Sequence, residues 1–288
     1  GYCGIELGVT EMILIGERIN GSIPSVAKLI AGRKVEEIRE LARRQAEAGA
    51  DFIDICAPVE CGEEETLHWL IDVVQNAADV PISIDSPSAK VLQSAWRYCK
   101  RPGIFNSVSM ESGKRIDEIF RIMAEQPGWQ VIAMLRGDER ISHSFTLKGR
   151  LGILDEIMRK AENHRIEPSR IHIDPMVESL VLPPPQEGEK PGIAGYLELV
   201  RLIRNRYPQV HITSAISNIS YGLPARRYVN YGFAALAMEA GLSSAILDPL
   251  DGGLQAVICG TETLLGREEE ECGIEYIRAY KRGRFIKP

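Results

Sequence analysis

The sequence predicts an α/β chain folded as a (β/α)8 barrel, the TIM barrel. Eight short apolar runs rich in Ile and Val alternate with eight amphipathic helical patterns over about 250 of the 288 residues. A doubly wound open sheet is the alternative. It is disfavoured because no GxGxxG follows the first run and no GxxxxGK[ST] occurs anywhere.

The units run in order. MILIG, from Met12, precedes the helical VEEIRELARRQAEAGA, which closes on Gly49. DFIDI precedes EEETLHWLIDVVQNAA, and VPISID precedes SAKVLQSAWRYCK. GIFNSV precedes GKRIDEIFRIMAEQ, and WQVIAML precedes LGILDEIMRKAENH. RIHIDP precedes YLELVRLIRNRY, VHITSAIS precedes RRYVNYGFAALAMEAG, and SAILD precedes LQAVICGTETLL. The short runs suit strands; the longer ones carry apolar residues every three or four positions, opposite a charged face. Residues 1–11 show no periodicity and are expected to be a tail or an added remnant. Residues 12–288 are expected to form one barrel domain.

Hydrophobic content of 44% and charged content of 26% are ordinary for a globular chain with a sizeable core. A net charge of −6 and the lack of a Lys/Arg cluster argue against nucleic acid and anionic membrane as partners. No apolar stretch approaches the ~18 residues of a transmembrane helix. The six cysteines (Cys3, Cys56, Cys61, Cys99, Cys259, Cys272) form no CxxC, and no secretory signal is seen. They read as reduced thiols of a cytoplasmic protein. No metal site is expected, because His143, His164, His172 and His211 lack a cysteine partner at ligand spacing.

Four apolar runs end in a carboxylate or carboxamide: Asp85 in ISIDS, Asn106 in GIFNS, Asp174 in IHIDP and Asn218 in AISNIS. Taken singly, each has an ordinary explanation. Asp85 before Ser-Pro-Ser suits a helix N-cap, Asn106 a bend, and Asp174-Pro175 a turn. A barrel gathers its strand ends on one face, however, and the chemistry of such folds is found there. Two Asp and two Asn converging there, without cationic clamps, suit a neutral heterocycle rich in N–H and C=O groups. A carboxylate faces an exocyclic amine and the adjacent N–H as a bidentate acceptor, and the amides serve the remaining ring positions. That pattern reads a pterin. After Asp174 the chain continues through a Pro/Gly/Glu-rich stretch, MVESLVLPPPQEGEKPGIA, long enough either to cover the site or to be a tolerated insertion.

LIGERINGS (Leu14 to Ser22), IDSPS, FNSV, IDPM and SNISYGLPAR (Ser217 to Arg226) occur in this order. Together they resemble the motifs of the corrinoid-dependent methyltetrahydrofolate methyltransferases, from Met12 to about Leu265. The resemblance implies a pterin-binding (β/α)8 barrel, usually a homodimer. It implies transfer of a methyl group between N5 of tetrahydrofolate and the cobalt of a corrinoid (cobalamin-type) carried by a separate protein that docks over the barrel mouth. It implies further that Asp85, Asn106 and Asp174 hold the pterin ring, and that Asn218 is the catalytic, mobile amide near N5. By the same resemblance Arg226 contacts the pterin or its tail, and Glu17 and Asn20, in the first βα loop, shape the pocket. Asp54, at the end of the second run, is either part of the rim or a buried structural carboxylate.

The sequence departs from the family pattern in three places. Tyr221 stands where an amide is common, Cys56 where Asn is frequent, and the Pro-rich stretch is distinctive. Two other readings compete: a dihydropteroate synthase-like pterin enzyme and a non-catalytic folate-binding barrel. The first is weakened by the absence of a Ser-Thr-Arg-Pro segment in the second loop. The second would have been favoured by loss of a strand-end polar group, and all four are present. No Asp-x-His-x-x-Gly corrinoid-binding signature occurs, so the cobalt centre is expected on a partner protein.

Overall fold

The computed structural model describes residues 11–58, 62–111, 115–137, 146–181, 192–266 and 273–285. Its eight strands are β1 (Ile13–Asn20), β2 (Phe52–Cys56), β3 (Ile82–Asp85), β4 (Ile104–Val108), β5 (Gln130–Met134), β6 (Ile171–Asp174), β7 (His211–Ile212) and β8 (Ser244–Leu247). All neighbours pair in parallel, in the order β7-β6-β5-β4-β3-β2-β1-β8. The ends of that row meet where Ala215 bridges Ile246 and Ile246 N donates to Ser214 O at 2.9 Å, which joins the sheet into a barrel.

Around it lie α1 (Pro24–Ala31), α2 (Val35–Glu47), α3 (Glu63–Gln75), α4 (Ala89–Ala95), α5 (Arg115–Glu125), α6 (Leu147–Asn163), α7 (Ile193–Arg206), α8 (Arg226–Ala240), α9 (Gly252–Leu265) and α10 (Ile274–Lys281). Eight of these are the expected helices. α1 and α10 are additions, and each is only eight residues long, too short for its periodicity to stand out in the sequence.

Local chemistry sets the boundaries. α2 has Glu36 and Glu37 in its first turn and Arg44 in its last, which complements the helix dipole, and Gly49 follows it at φ +91°. Ser88, Thr146 and Asp251 cap α4, α6 and α9 by accepting main-chain N–H bonds. Asp85 is therefore not the N-cap of α4. At Gly103 a Cβ would lie 2.0 Å from Ile82 O, so only glycine lets β4 come this close to β3.

Side chains alternate along each strand, and this sorts the molecule into an outer and an inner core. Outward residues such as Ile53, Ile55, Ile84, Phe105, Val131 and Ile173 pack under the helices. Inward, Ile15, Phe52, Ile104 and Ile132 form a separate apolar layer across the barrel. Below that layer, near the strand starts, His172 bonds Gln130 Oε1 at 2.6 Å and Ser244 Oγ at 2.9 Å. It also stacks on His211 at 4.7 Å. These polar residues fill the lower end of the barrel. Above the apolar layer the inward positions turn acidic.

Three positional expectations need correction. Glu17 and Asn20 lie inside β1, not in the loop after it, because β1 runs on through a register shift between Gly16 and Ile19. Asn106 is the third of five residues in β4 rather than its last. Asn218 ends a 3-10 turn, Ile216–Asn218, six residues beyond β7. The run VHITSAIS looks continuous in composition. Its serines, however, bond locally and across elements: Ser214 Oγ meets Tyr196 OH at 2.7 Å, and Ser220 Oγ donates to Ser217 O at 3.3 Å. The segment stays paired through Thr213 N to Ile173 O at 2.8 Å and the Ala215–Ile246 bridge, and turns only at Ile216–Asn218.

Candidate functional site

The upper inward positions place Glu17 (β1), Asp54 and Cys56 (β2), Asp85 (β3), Asn106 (β4) and Asp174 (β6) around one mouth. Asp248 follows β8. Register brings neighbours together: Cys56 is the Cα partner of Asp85, Asp85 of Asn106, and Met134 of Asp174.

Asp54 settles as a buried carboxylate just below the rim, 2% exposed. Its Oδ1 accepts from Ser83 Oγ at 2.5 Å and from Asn106 Nδ2 at 3.0 Å. Asn106 therefore spends one amide N–H on Asp54 and keeps its carbonyl oxygen as an acceptor. Cys56 lies beside Asp85 and favours its charge, while the thiol itself reaches Ala57 O at 3.9 Å. Burial, and then the neighbouring Asp85, push that thiol well above the ordinary range, so it remains an S–H. At Asp174, Oδ1 accepts from Met176 N at 2.8 Å; the turn role expected for Asp174-Pro175 thus coexists with a place in the mouth.

Glu17 accepts from Ser217 Oγ at 3.2 Å and so ties β1 to the turn that carries Asn218. Arg226, the first residue of α8, holds the same turn from outside. Its Nη2 donates to Ser217 O at 2.6 Å and its Nε to Ser220 Oγ at 3.1 Å, and the guanidinium lies over the Tyr221 ring at 5.8 Å. Asn218 itself is exposed. Asn20 turns back on its own loop, accepting from Ser22 N at 2.8 Å and Ser22 Oγ at 2.6 Å. Residues 176–181 run alongside: Leu180 N donates to Ile219 O at 3.0 Å and Ser179 Oγ to Tyr221 O at 2.6 Å. Most of the Pro-rich stretch, residues 182–191, lies outside the described residues, as do Cys3, Cys61, Cys272 and His143.

The electrostatics are uniform. Burial raises Glu17 to about 7 and Asp174 to about 6. Asp54 and Asp85 are both pushed up, first by burial; the charge of Asp85 adds to the rise at Asp54, and that of Glu63 to the rise at Asp85. Asp248, also raised by burial, pairs with Arg18 at 3.5 Å. A half-dry bowl of carboxyl groups that titrate near neutrality suits N–H-rich ligands, for which one charged and several neutral acceptors are matched. It does not suit a phosphate.

Sequence reasoning missed Asp248, although SAILD ends in the same way as ISID and IHID. It also missed Ser83, Ser217 and Arg115, which carry no local signal. Among the described residues, no group of three or more His, Cys, Asp and Glu side chains is arranged to hold a metal ion, and no helix is long and apolar enough to cross a membrane.

The family model described as "Pterin binding enzyme" matches residues 16–248, a span that begins just before Glu17 and ends on Asp248. The chain is also 38% identical over 276 residues to the methylcorrinoid:tetrahydrofolate methyltransferase of Eubacterium limosum, covering 95% of this chain and 98% of that one. This chain belongs to the pterin-binding enzymes, within the corrinoid-dependent methyltetrahydrofolate methyltransferase family. A more distant family relative is the methionine synthase of Mycobacterium leprae, 26% identical over 246 residues, which cover 82% of this chain but 20% of that protein. Among solved structures, a dihydropteroate synthase from Coxiella burnetii in complex with pteroic acid has a TM-score of 0.63 at 18% identity, covering 90% of this chain and 94% of that one. A dihydropteroate synthase from Xanthomonas albilineans in complex with 7,8-dihydropteroate has a TM-score of 0.58 at 18% identity, covering 89% and 92%. At that identity these two report the shared barrel alone.

Proposed function

We propose that this protein is a methyltransferase that moves a methyl group between a methylated corrinoid on a separate protein and N5 of tetrahydrofolate. The observation that carries this reading is the match to the Eubacterium limosum enzyme over nearly the whole of both chains. The acceptor-lined mouth supports it chemically. Asp85, Asn106 and Asp174 hold the pterin ring, with the Asn106 carbonyl oxygen facing a ring N–H. Asn218 stands at N5 on the turn held by Glu17 and Arg226, and its neutral amide follows the charge that N5 gains or loses.

In the direction of methyltetrahydrofolate synthesis, the N5 lone pair forms the new N–CH3 bond as the Co–C bond breaks. The electron pair of that bond stays on cobalt, giving Co(I), and the N5–H proton leaves to solvent. The reverse direction uses the same pocket and needs a proton on N5. The protein supplies proximity and alignment more than covalent chemistry. The partner's corrinoid reaches N5 by docking over the mouth. Residues 12–288 act as one barrel domain, in a cytoplasmic homodimer.

An anaerobic mixture of the protein, free methylcobalamin and tetrahydrofolate tests the reading by absorbance. Folate-dependent conversion of methyl-Co(III) to Co(I) supports it. Folate binding without conversion restricts the reaction to a protein-bound corrinoid. Absence of both sinks the reading, and a dihydropterin pyrophosphate assay then decides for the synthase chemistry.

A further inference from the structure

Asp85 and Asp174 share a feature outside the mouth. Each is followed by main chain that leaves its strand, Ser86-Pro87 in one case and Pro175-Met176 in the other. In each case an arginine from the helix of a neighbouring βα unit binds the carbonyl groups of those two residues rather than the carboxylate. Arg115, the first residue of α5, donates to Pro87 O at 2.5 Å and to Ser86 O at 2.7 Å. Its Nη2 also reaches Ser107 O at 2.6 Å, so the same guanidinium fixes the residue after Asn106. Arg150, on α6, donates to Pro175 O at 2.5 Å and Met176 O at 3.1 Å.

The chemistry of this arrangement differs from that of an ion pair. A guanidinium laid on the carboxylate would occupy both oxygens in a bidentate clasp. Laid on the carbonyls behind it, the same cation fixes the main chain from which the carboxylate projects. It still lends its field and leaves the carboxylate oxygens unclaimed by the guanidinium. Asp85 is otherwise surrounded by Cys56 and Asp54 on β2, Glu63 on α3 and Asn106 on β4. Of these and Arg115, only Arg115 is positive, and its charge opposes the upward push of burial and Glu63 on Asp85. Around Asp174 the corresponding groups are the Met176 N–H and Arg150, with Tyr196 near the pair, and Arg150 also faces Glu178 at 4.0 Å.

We infer that Arg115 and Arg150 are positioning residues of the pterin site. By binding the two carbonyls that follow each ring-holding carboxylate, they set the orientation in which it meets the ligand's N–H groups. This rests on the proposed folate reading, and the experiment separates the two. Equilibrium binding of tetrahydrofolate is measured anaerobically from about pH 5 to about pH 8, for the wild type, Arg115→Ala and Arg115→Lys, with thermal melts alongside. Arg150 is 4% exposed, so its truncation risks the fold, and Arg150→Lys is the variant used there.

The expected result for Arg115→Ala is an affinity about ten-fold or more below wild type at neutral pH, as for loss of charged hydrogen bonds. The acid limb of its binding curve should move to higher pH, because Asp85 has lost its positively charged neighbour. Arg115→Lys should restore the position of the limb more fully than the affinity, since it keeps the charge without the fork. Millimolar methylguanidinium should recover part of the binding in Arg115→Ala. Equal affinity in Arg115→Ala and wild type overturns the inference. So does a uniform loss at every pH with the limb unmoved, which marks a structural role only. A wild type that binds no folate sinks the proposed function, and this inference with it.

Discussion

Asn106 Nδ2 donates to Asp54 Oδ1 at 3.0 Å, beneath the floor of the barrel mouth. The bond decides which end of the Asn106 amide is offered upward. Asp54→Ala frees the amide to rotate, and folate affinity should fall about five-fold for the loss of one buried hydrogen bond. Asp54→Ser keeps no acceptor at that reach and should behave alike. Calorimetric titration with tetrahydrofolate checks this, and unchanged affinity in both variants would show that Asn106 is oriented by something else.

Asn218 carries the chemical step in the proposed reaction. Asn218→Ala should slow methyl transfer in single turnovers by roughly a hundred-fold, as for removal of one transition-state hydrogen bond, with folate affinity much less affected. Stopped-flow absorbance at the cobalt bands reads the rate. A rate equal to wild type removes Asn218 from the mechanism.

Arg226 has two possible jobs, and kinetics distinguish them. Its bonds to Ser217 O and Ser220 Oγ make it a brace for the Asn218 turn. As a brace, Arg226→Ala should lower kcat by about ten-fold, the cost of a misplaced catalytic group, with little change in the KM for folate. A rise in KM at constant kcat would instead make it a contact to the bound molecule.

The carboxyl groups of the mouth should cost stability as pH rises. Glu17 binds its proton up to about pH 7 in the native state, whereas an unfolded Glu releases it near pH 4.3. Between those values the native state holds more protons, so stability falls with rising pH. Buried neutral His172 works in the opposite sense. Its folded pKa lies below the unfolded value of about 6.5, so stability is lost as pH falls through that value. Glu17→Gln should therefore be more stable than wild type at pH 8 by roughly 1–2 kcal/mol, with little difference near pH 4.5. Urea unfolding at the two pH values tests it; equal differences at both would refute the linkage.

The barrel was legible because both of its periodicities are written in the sequence: period two in short Ile/Val runs and period 3.6 in the helices between them. Asp85 and Asp174 were legible because a carboxylate closing an apolar run is conspicuous. Asn218 was found as a residue but misplaced. The 3-10 turn Ile216–Asn218 that carries it has the same composition as the strand residues before it. Arg115 and Arg150 were not legible at all. Each is an ordinary charge near a helix start, and its role arises only when the fold brings it against carbonyls from a different βα unit.

The Gln130, His172, His211 and Ser244 cluster fills the barrel opposite the mouth, and this governs traffic. A vessel stoppered at its base is loaded and emptied through its top. In the proposed reaction that top is also the landing surface for a whole protein carrying the other substrate. Folate and carrier then share one entrance, opposite the polar cluster that closes the base.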